Sequence, residues 1–101
     1  MNARIKINEA IISEYDAINI YQKIIDELPA DYPNGDAIKK VLASVRDEEV
    51  VHVGEFQHLL KLIEESEAKL LADGEREAQE LISGKPKSAE ESLNFGGLTN
   101  L

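Results

Sequence analysis

The sequence of 101 residues contains no cysteine. This absence excludes disulfides, iron–sulfur clusters, thiolate zinc sites and cysteine nucleophiles. Proline and glycine are scarce, with three and six residues, so few positions interrupt regular structure. No apolar run approaches the ~20 residues of a membrane helix, and residues 1–6 lack the apolar stretch of a signal peptide. We therefore expect a soluble, cytoplasmic protein.

Basic residues are outnumbered, with 11 Lys and Arg against 20 Asp and Glu and a formal net charge of -9. Phosphate groups require a surplus of basic side chains, so neither nucleic acid nor an anionic membrane surface is expected as a partner. An acidic chain attracts cations instead. Hydrophobic residues make up 43%, which is enough for a folded core, and the length fits one domain at most.

Helical periodicity covers most of the chain, and no segment shows the period of two that marks a strand. We predict an all-α fold, an antiparallel two-helix hairpin followed by a short C-terminal helix. The predicted helices run from about Arg4 to Leu28, from about Ala37 to Ala72, and from Glu75 to Ile82. The second exceeds the first by about a dozen residues, or ~18 Å, so its far half lacks a partner within the chain. The sequence thus predicts an obligate oligomer.

Turn and capping residues mark the breaks between these helices. Pro29 and the cluster from Asp31 to Asp36 separate the first two helices, and Asp36 is the expected N-cap. Asp73-Gly74 is the expected break before the third helix. Ser83-Gly84-Lys85-Pro86 is expected to end the helical part of the chain.

A stripe of apolar residues with a period of 3.5 runs along each long helix. In the first helix the stripe consists of Ile7, Ile11, Glu14, Ile18, Tyr21, Ile25 and Leu28. In the second helix it consists of Ile38, Leu42, Val45, Glu49, His52, Phe56, Leu59 and Ile63. Glu14, Glu49 and His52 thus place carboxylate and imidazole groups in the middle of otherwise apolar stripes.

These three residues fall at one level of the predicted hairpin. Glu14 lies about 21 Å before the turn at Leu28, and Glu49 lies about 20 Å after the turn at Asp36. His52 follows Glu49 by three residues and shares its helix face. Burying two ionised carboxylates together without a cation costs on the order of several kcal/mol, so a metal ion is the simplest compensation. Oxygen and imidazole ligands without sulfur suit Fe(II), Mn(II) or Zn(II).

A Glu on one helix and a Glu-x-x-His on another make half of the ligand set of ferritin-like di-iron bundles. A two-fold dimer of this chain would form a four-helix bundle with four carboxylates and two imidazoles for two metal ions. Two other interpretations stay open. A Glu-x-x-His on a helix is commonly a solvated pair, and a Glu within a heptad stripe can specify helix register.

The sequence around these residues resembles the encapsulated ferritins, which are cargo proteins of encapsulin nanocompartments. The resemblance covers about residues 5–80 and rests on Glu14–Tyr21 in the first helix and Asp47–His52 in the second. It implies a ferroxidase, an enzyme that oxidises Fe(II) to Fe(III) at a di-iron centre between two subunits of a decameric ring. The iron would be stored inside the surrounding encapsulin shell, and the protein would be found in that compartment.

The resemblance also implies roles for individual residues. The implied iron ligands, and hence the catalytic residues, are Glu14, Glu49 and His52. Tyr21 is implied as a neighbour behind these ligands. Some relatives carry extra acidic residues beside the first ligand that gather metal, whereas this chain has Ser13 and Asp16 there. Metal uptake is therefore expected to be weaker or built differently.

Residues 1–86 are expected to form the helical half-bundle, and residues 87–101 a flexible tail. Within the tail, Leu93-Asn94-Phe95-Gly96-Gly97-Leu98 resembles the peptides that dock cargo onto the inner wall of encapsulin shells. The apolar anchors of such a peptide would be Leu93, Phe95 and Leu98. A frayed terminus with an apolar composition is the alternative.

Other residues are expected to have structural roles. His58 falls off the face of the proposed ligands, and Tyr15 and Tyr32 are expected to contribute packing. Gly54 inside the second helix suggests a close helix contact or a local bulge. Two alternative functions remain: a non-catalytic helical oligomer with a structural divalent metal, and another di-metal enzyme that uses oxygen or peroxide.

Overall fold

A computed structural model describes residues 1–84, which form three α-helices. α1 spans Ala3–Glu27, α2 spans Gly35–Ile63 and α3 spans Glu65–Ser83. No strand occurs in this described range, which confirms the all-α prediction. Met1–Glu65 form one compact unit that holds the α1–α2 hairpin, and α3 belongs to a second unit. No helix in the described range is long and apolar enough to cross a membrane.

The first helix begins and ends for local reasons. The side-chain oxygen of Asn2 accepts a hydrogen bond from the backbone N–H of Ile5 at 3.2 Å, which caps the helix. Leu28 has extended backbone angles, φ -65° and ψ 124°, because Pro29 disfavours the helical conformation in the residue before it. The predicted span from Arg4 to Leu28 is thus confirmed to within one residue at each end.

The start of α2 differs from the prediction. Asn34 is the N-cap residue in a left-handed conformation (φ 60°), and its side chain makes no capping hydrogen bond. The backbone N–H of Gly35 donates to the carbonyl of Tyr32 at 2.9 Å, so the turn leads directly into the helix. Asp36 lies in the first turn, where its carboxylate interacts favourably with the helix dipole. The prediction of Asp36 as the N-cap is therefore wrong.

The second helix ends at Ile63, whereas the sequence predicts its end near Ala72. Glu64 leaves the helical conformation with φ -127° and ψ 80°. Negative charge is unfavourable at a helix C-terminus and favourable at an N-terminus. The acidic run 64–67 therefore disfavours continuation of α2 and favours the start of a new helix, α3. α2 has 29 residues and α1 has 25, so the predicted long overhang of the second helix is wrong.

The third helix is longer than the predicted segment 75–82, because it contains 19 residues. It continues through Asp73-Gly74, so the break predicted there is wrong. One glycine costs a helix only about 1 kcal/mol, and the other residues of α3 tolerate that cost. Gly84 follows the helix with φ +73°, the left-handed conformation that commonly ends helices, which confirms the predicted end at Ser83-Gly84. Residues 87–101, including the predicted tail peptide, lie outside the described residues.

α1 and α2 pack against each other as the predicted antiparallel hairpin. Two side-chain pairs show the antiparallel order: Gln22 follows Glu14 on α1, whereas its partner Arg46 precedes His52, the partner of Glu14, on α2. Every residue of the predicted α1 stripe is partly buried. Among the described residues, Val53 is the one buried hydrophobic residue, with 3% exposure.

Val53 lies outside the predicted stripe because a straight helix does not follow a period of 3.5. An α-helix drifts by about 20° per heptad relative to that repeat. This drift accumulates along α2, so that at this level of the helix Val53 faces α1 in place of His52. The drift moves the imidazole toward the edge of the hairpin, and 46% of the His52 side chain is exposed.

Candidate metal centre

The hairpin brings Glu14 of α1 together with Glu49 and His52 of α2. Nδ1 of His52 lies 3.7 Å from Oε1 of Glu14 and 3.7 Å from Oε2 of Glu49. One potential ligand atom from each of the three residues lies within 4.8 Å of the other two. The predicted proximity of the three side chains is present, and their role as metal ligands stays a prediction.

The distances within this cluster suit a shared cation better than direct hydrogen bonds. A separation of 3.7 Å is too long for a hydrogen bond between nitrogen and oxygen. Ligand atoms that each lie roughly 2.0–2.2 Å from one ion are separated by about 3.0 Å at right angles and about 4.2 Å on opposite sides. Two carboxylates and one imidazole form a hard to borderline donor set without sulfur, which fits iron, manganese or zinc.

The two carboxylates of the cluster are partly buried next to each other, so a cation between them would offset their repulsion. The side chains of Glu14 and Glu49 are 19% and 18% exposed. Within residues 1–84, no Lys or Arg side chain forms an ion pair with either of them. His52 is the neighbouring group that could carry positive charge. A divalent cation would neutralise both carboxylates at once.

The other residues that the sequence singles out lie around this cluster or away from it. Tyr21 is partly buried on α1, and among the described residues no hydrogen bond joins its hydroxyl to Glu14 or Glu49. Its role behind the ligands stays a prediction. His58 is exposed and outside the cluster, as predicted. The positions expected to affect metal uptake, Ser13 and Asp16, are both exposed.

A hydrogen-bonded pair next to the cluster was not predicted from the sequence. Nη1 of Arg46 donates to Oε1 of Gln22 across the two helices at 2.8 Å. Arg46 lies one helical turn before Glu49, on the side of the cluster that faces the interhelical loop. The spacing of Gln22 and Asp26, four residues apart on one helix, is a recognisable sequence signal for part of this arrangement.

A groove on α2 lies beside His52. The groove has a volume of about 450 Å³ and is lined by His52, Glu55, Phe56 and Leu59. A second groove, of about 390 Å³, is lined by Ala37, Ile38, Val41 and Leu42 nearer the start of the helix. The imidazole of His52 therefore faces the α1 carboxylate and also an open surface.

The fold and the cluster define a class: an all-helical protein whose antiparallel hairpin carries a carboxylate–imidazole cluster that could hold a metal ion. The chain is similar to the ferritin-like-encapsulin shell fusion protein of Pyrococcus furiosus, with 39% identity over 72 residues. The match covers 71% of this chain, and the chain spans about a fifth of that protein, 19% of its length. No family model matches the chain. No solved structure matches it either.

Proposed function

We propose that the protein is a ferroxidase, which oxidises Fe(II) to Fe(III) at a di-iron site formed between two copies of the chain. The observation that carries this proposal is the cluster of Glu14, Glu49 and His52, whose imidazole nitrogen lies 3.7 Å from both carboxylates. The similarity to a ferritin-like-encapsulin fusion protein supports an iron-related role. An all-helical fold and an acidic surface are compatible with it.

Two copies are proposed because one chain supplies too few ligands. Three side chains leave an iron ion with open coordination positions, and they offer one imidazole for two carboxylates. A two-fold axis beside the cluster would give two iron ions four carboxylates and two imidazoles. Glu14, Glu49 and His52 from each copy would supply these ligands.

The surface of α2 supports this pairing. A row of α2 residues, spaced three and four apart, runs along the side of the helix that carries His52, and we call this row the outer stripe. Its members are Ile38, Val41, Val45, Glu48, His52, Glu55, Leu59 and Leu62. Of its apolar members, Val41, Leu59 and Leu62 are 62%, 43% and 70% exposed. Apolar residues at both ends and polar residues at the centre are the pattern expected for an interface that encloses a metal site.

The outer stripe also defines how two copies would pair. Its positions are symmetric about residue 50, so a two-fold axis there would align two α2 helices antiparallel. Val41 would then lie opposite Leu59 of the partner subunit, and Ile38 opposite Leu62 of the partner subunit. Glu48 would lie opposite His52 of the partner subunit, which adds a carboxylate beside the imidazole. The apolar ends would cover each other while the ligands meet in the middle.

The reaction balances with two iron ions and one oxygen molecule. Each Fe(II) loses one electron and becomes Fe(III). The two electrons reduce O2, which takes up two protons and leaves as hydrogen peroxide. The carboxylates lower the cost of the higher charge on Fe(III), because oxygen anions stabilise the more charged ion more strongly. The open groove beside His52 would narrow when the second copy covers it.

The cellular context is part of the proposal. The related protein carries the words encapsulin shell in its name, so we propose that this chain works within such a shell and delivers Fe(III) for storage there. The proposed docking peptide contains Leu93, Phe95 and Leu98, and the proposed assembly is a decameric ring of dimers. An open ring cannot retain iron by itself, so the shell would supply the storage volume.

Aerobic addition of Fe(II), followed by the absorbance of Fe(III), tests the proposed activity. Each of the variants Glu14→Ala, Glu49→Ala and His52→Ala should oxidise Fe(II) at nearly the rate measured in buffer without protein, since the ligand set depends on all three residues. Glu9→Ala is the matched control on α1, because the Glu9 carboxylate is 59% exposed and pairs with Lys6. Equal rates for wild type and the three ligand variants would exclude a ferroxidase at this cluster. Stable metal binding without oxidation would indicate a structural metal.

A further inference from the structure

Gln22 and Arg46 form a hydrogen bond between α1 and α2 that the apolar stripes do not require. Nη1 of Arg46 donates to Oε1 of Gln22 at 2.8 Å in a partly buried position, and the Arg46 side chain is 27% exposed. A charged donor makes this bond stronger than one between neutral groups. It joins two helices at a defined pair of positions, so a shift of either helix would break it.

Each partner in this bond is oriented by a neighbour on its own helix. Nε and Nη2 of Arg46 donate to Oδ1 of Asp47 at 3.1 and 3.0 Å, which leaves Nη1 directed toward α1. Nε2 of Gln22 donates to Oδ1 of Asp26 at 2.9 Å, which leaves its carbonyl oxygen for the guanidinium. The four residues form one continuous chain of hydrogen bonds across the hairpin.

The apolar part of the hairpin interface specifies its register poorly. Most stripe residues of α1 and α2 are Ile, Leu or Val, and a repeat of seven lets one apolar residue replace another after a shift. A shift of one helical turn would move Glu14 by about 5.4 Å along the axis relative to His52. The 3.7 Å separation between these two side chains would then be lost. A polar contact within an apolar interface is a known means of fixing register.

We infer that Gln22 and Arg46 act as positioning residues, a clamp that fixes the register at which Glu14 meets Glu49 and His52. The inference rests on the metal centre proposed above. The clamp touches no proposed ligand and would act through the alignment of the two helices. Arg46 and Glu49 are three residues apart on α2, so the clamp holds the helix within one turn of the cluster.

Titration of the full chain with Co(II) tests the clamp, because the visible absorption of Co(II) reports both affinity and ligand geometry. Gln22→Met and Arg46→Met remove the bond and keep side chains of similar size. Each should raise the Co(II) dissociation constant about tenfold and change the absorption spectrum. The double variant should be no weaker than the single variants, since both remove the same contact. Gln57→Met and Lys40→Met are the matched controls, because they replace an exposed amide and an exposed basic side chain with Met.

Gln22→Glu tests whether the contact itself matters. The variant keeps an oxygen acceptor for Arg46 but loses the bond that Gln22 donates to Asp26, so its Co(II) affinity should lie closer to that of the wild type than the affinity of Gln22→Met does. If Gln22→Met and Arg46→Met bind Co(II) with the wild-type affinity and spectrum and differ only in melting temperature, the clamp stabilises the fold without positioning the site, and the inference is wrong. Additive effects of the two substitutions would also overturn it.

A metal-free measurement separates failure of the clamp from failure of the metal centre. The chain has no cysteine, so spin labels can be placed at Ser13→Cys and Val51→Cys, which are exposed positions on α1 and α2. Distances are measured after dilution with unlabelled protein. Wild type should give one narrow distance distribution, and Arg46→Met a broader or displaced one. An unchanged distribution in Arg46→Met overturns the clamp. If Arg46→Met changes the distribution as expected while the wild type binds no Co(II), only the proposed metal centre fails.

Discussion

Oε1 of Glu14 and Nδ1 of His52 lie 3.7 Å apart, although the two residues belong to different helices. Glu49 is equally close to the same imidazole nitrogen. The contact depends on antiparallel pairing of α1 and α2, and the exposed side of His52 leaves room for a second copy. Coupling between metal and assembly follows, because a cation that binds at this edge would hold the hairpin and its partner together.

Metal should therefore promote dimer formation. In sedimentation at low micromolar concentration, the chelator-treated protein should contain more monomer than the protein loaded anaerobically with Fe(II). His52→Ala is the control, and its distribution should not respond to Fe(II). Identical distributions for wild type with and without Fe(II) would count strongly against a site shared between subunits.

Residues 41 and 59 should face each other across the dimer. The protein with both Val41→Cys and Leu59→Cys should form a disulfide-linked dimer under mild oxidation, since no native cysteine competes. Each single variant should cross-link poorly, because its symmetry mate would lie far along the interface. Val51→Cys with Leu59→Cys is the control, as residue 51 lies off the outer stripe. Equal cross-linking of the control pair would contradict the proposed two-fold axis.

Much of the hairpin could be predicted from the sequence. The α1 stripe and the common level of Glu14 and Glu49 followed from a regular 3.5 repeat and from a rise of about 1.5 Å per residue. Both quantities are properties of a single helix, so one sequence is enough to count them. The prediction of the carboxylate–imidazole cluster needed, in addition, the position of the turn, which Pro29 and the cluster from Asp31 to Asp36 mark.

The predictions from sequence were wrong where neighbouring charges or helix geometry outweigh the preference of a single residue. Gly74 is a weaker interruption of a helix than the acidic run at Glu64, because one glycine costs about 1 kcal/mol while the charges favour a new helix start. Val53 replaces His52 as the inward residue because of the accumulated drift of a straight helix. The Gln22–Arg46 bond depends on two side chains meeting across the hairpin, which no spacing within one helix reveals.

Two glycines should respond oppositely to alanine. A Cβ added at Gly54 would meet no atom within 4 Å, and α2 is a regular helix there, so the expected close contact or bulge is wrong for the single chain. Gly54→Ala should therefore raise the free energy of unfolding by up to about 1 kcal/mol. Gly84 has φ +73°, so Gly84→Ala should lower it by about 1 kcal/mol. Urea unfolding measures both, and destabilisation by Gly54→Ala would indicate that a partner packs against this position.

Deletion of residues 88–101 should leave iron oxidation intact and prevent loading into a shell. The deleted segment begins after the three helices and contains none of the proposed ligands. Co-expression with an encapsulin shell protein, followed by purification of shells, measures loading. A triple substitution of Leu93, Phe95 and Leu98 by Ser is the finer variant and should have the same effect. Wild-type loading of the truncated protein would show that the docking assignment is wrong.

Glu49→Ala should separate a metal ligand from a structural carboxylate. If Glu49 binds iron, oxidation should fall to near background, while the metal-free protein should be no less stable than wild type. The reason is that the substitution removes repulsion with Glu14 and the cost of burying a charge whose side chain is only 18% exposed. If Glu49 instead stabilised the fold through a buried hydrogen bond, its loss would lower the stability by about 1 kcal/mol or more.

Thermal melts in chelator, paired with oxidation rates for the same Glu49→Ala protein, distinguish the two roles. Glu9→Ala is the control, since its carboxylate is 59% exposed and lies outside the proposed ligand set, so its loss should leave both the oxidation rate and the metal-free melting temperature nearly unchanged. Each variant is compared at one protein concentration, because dimerisation makes the melting temperature depend on it. A large loss of metal-free stability in Glu49→Ala together with an unchanged oxidation rate would exclude Glu49 as an iron ligand. The result expected from the geometry is the reverse, because the long distances from His52 to both carboxylates provide no hydrogen bond for the substitution to break.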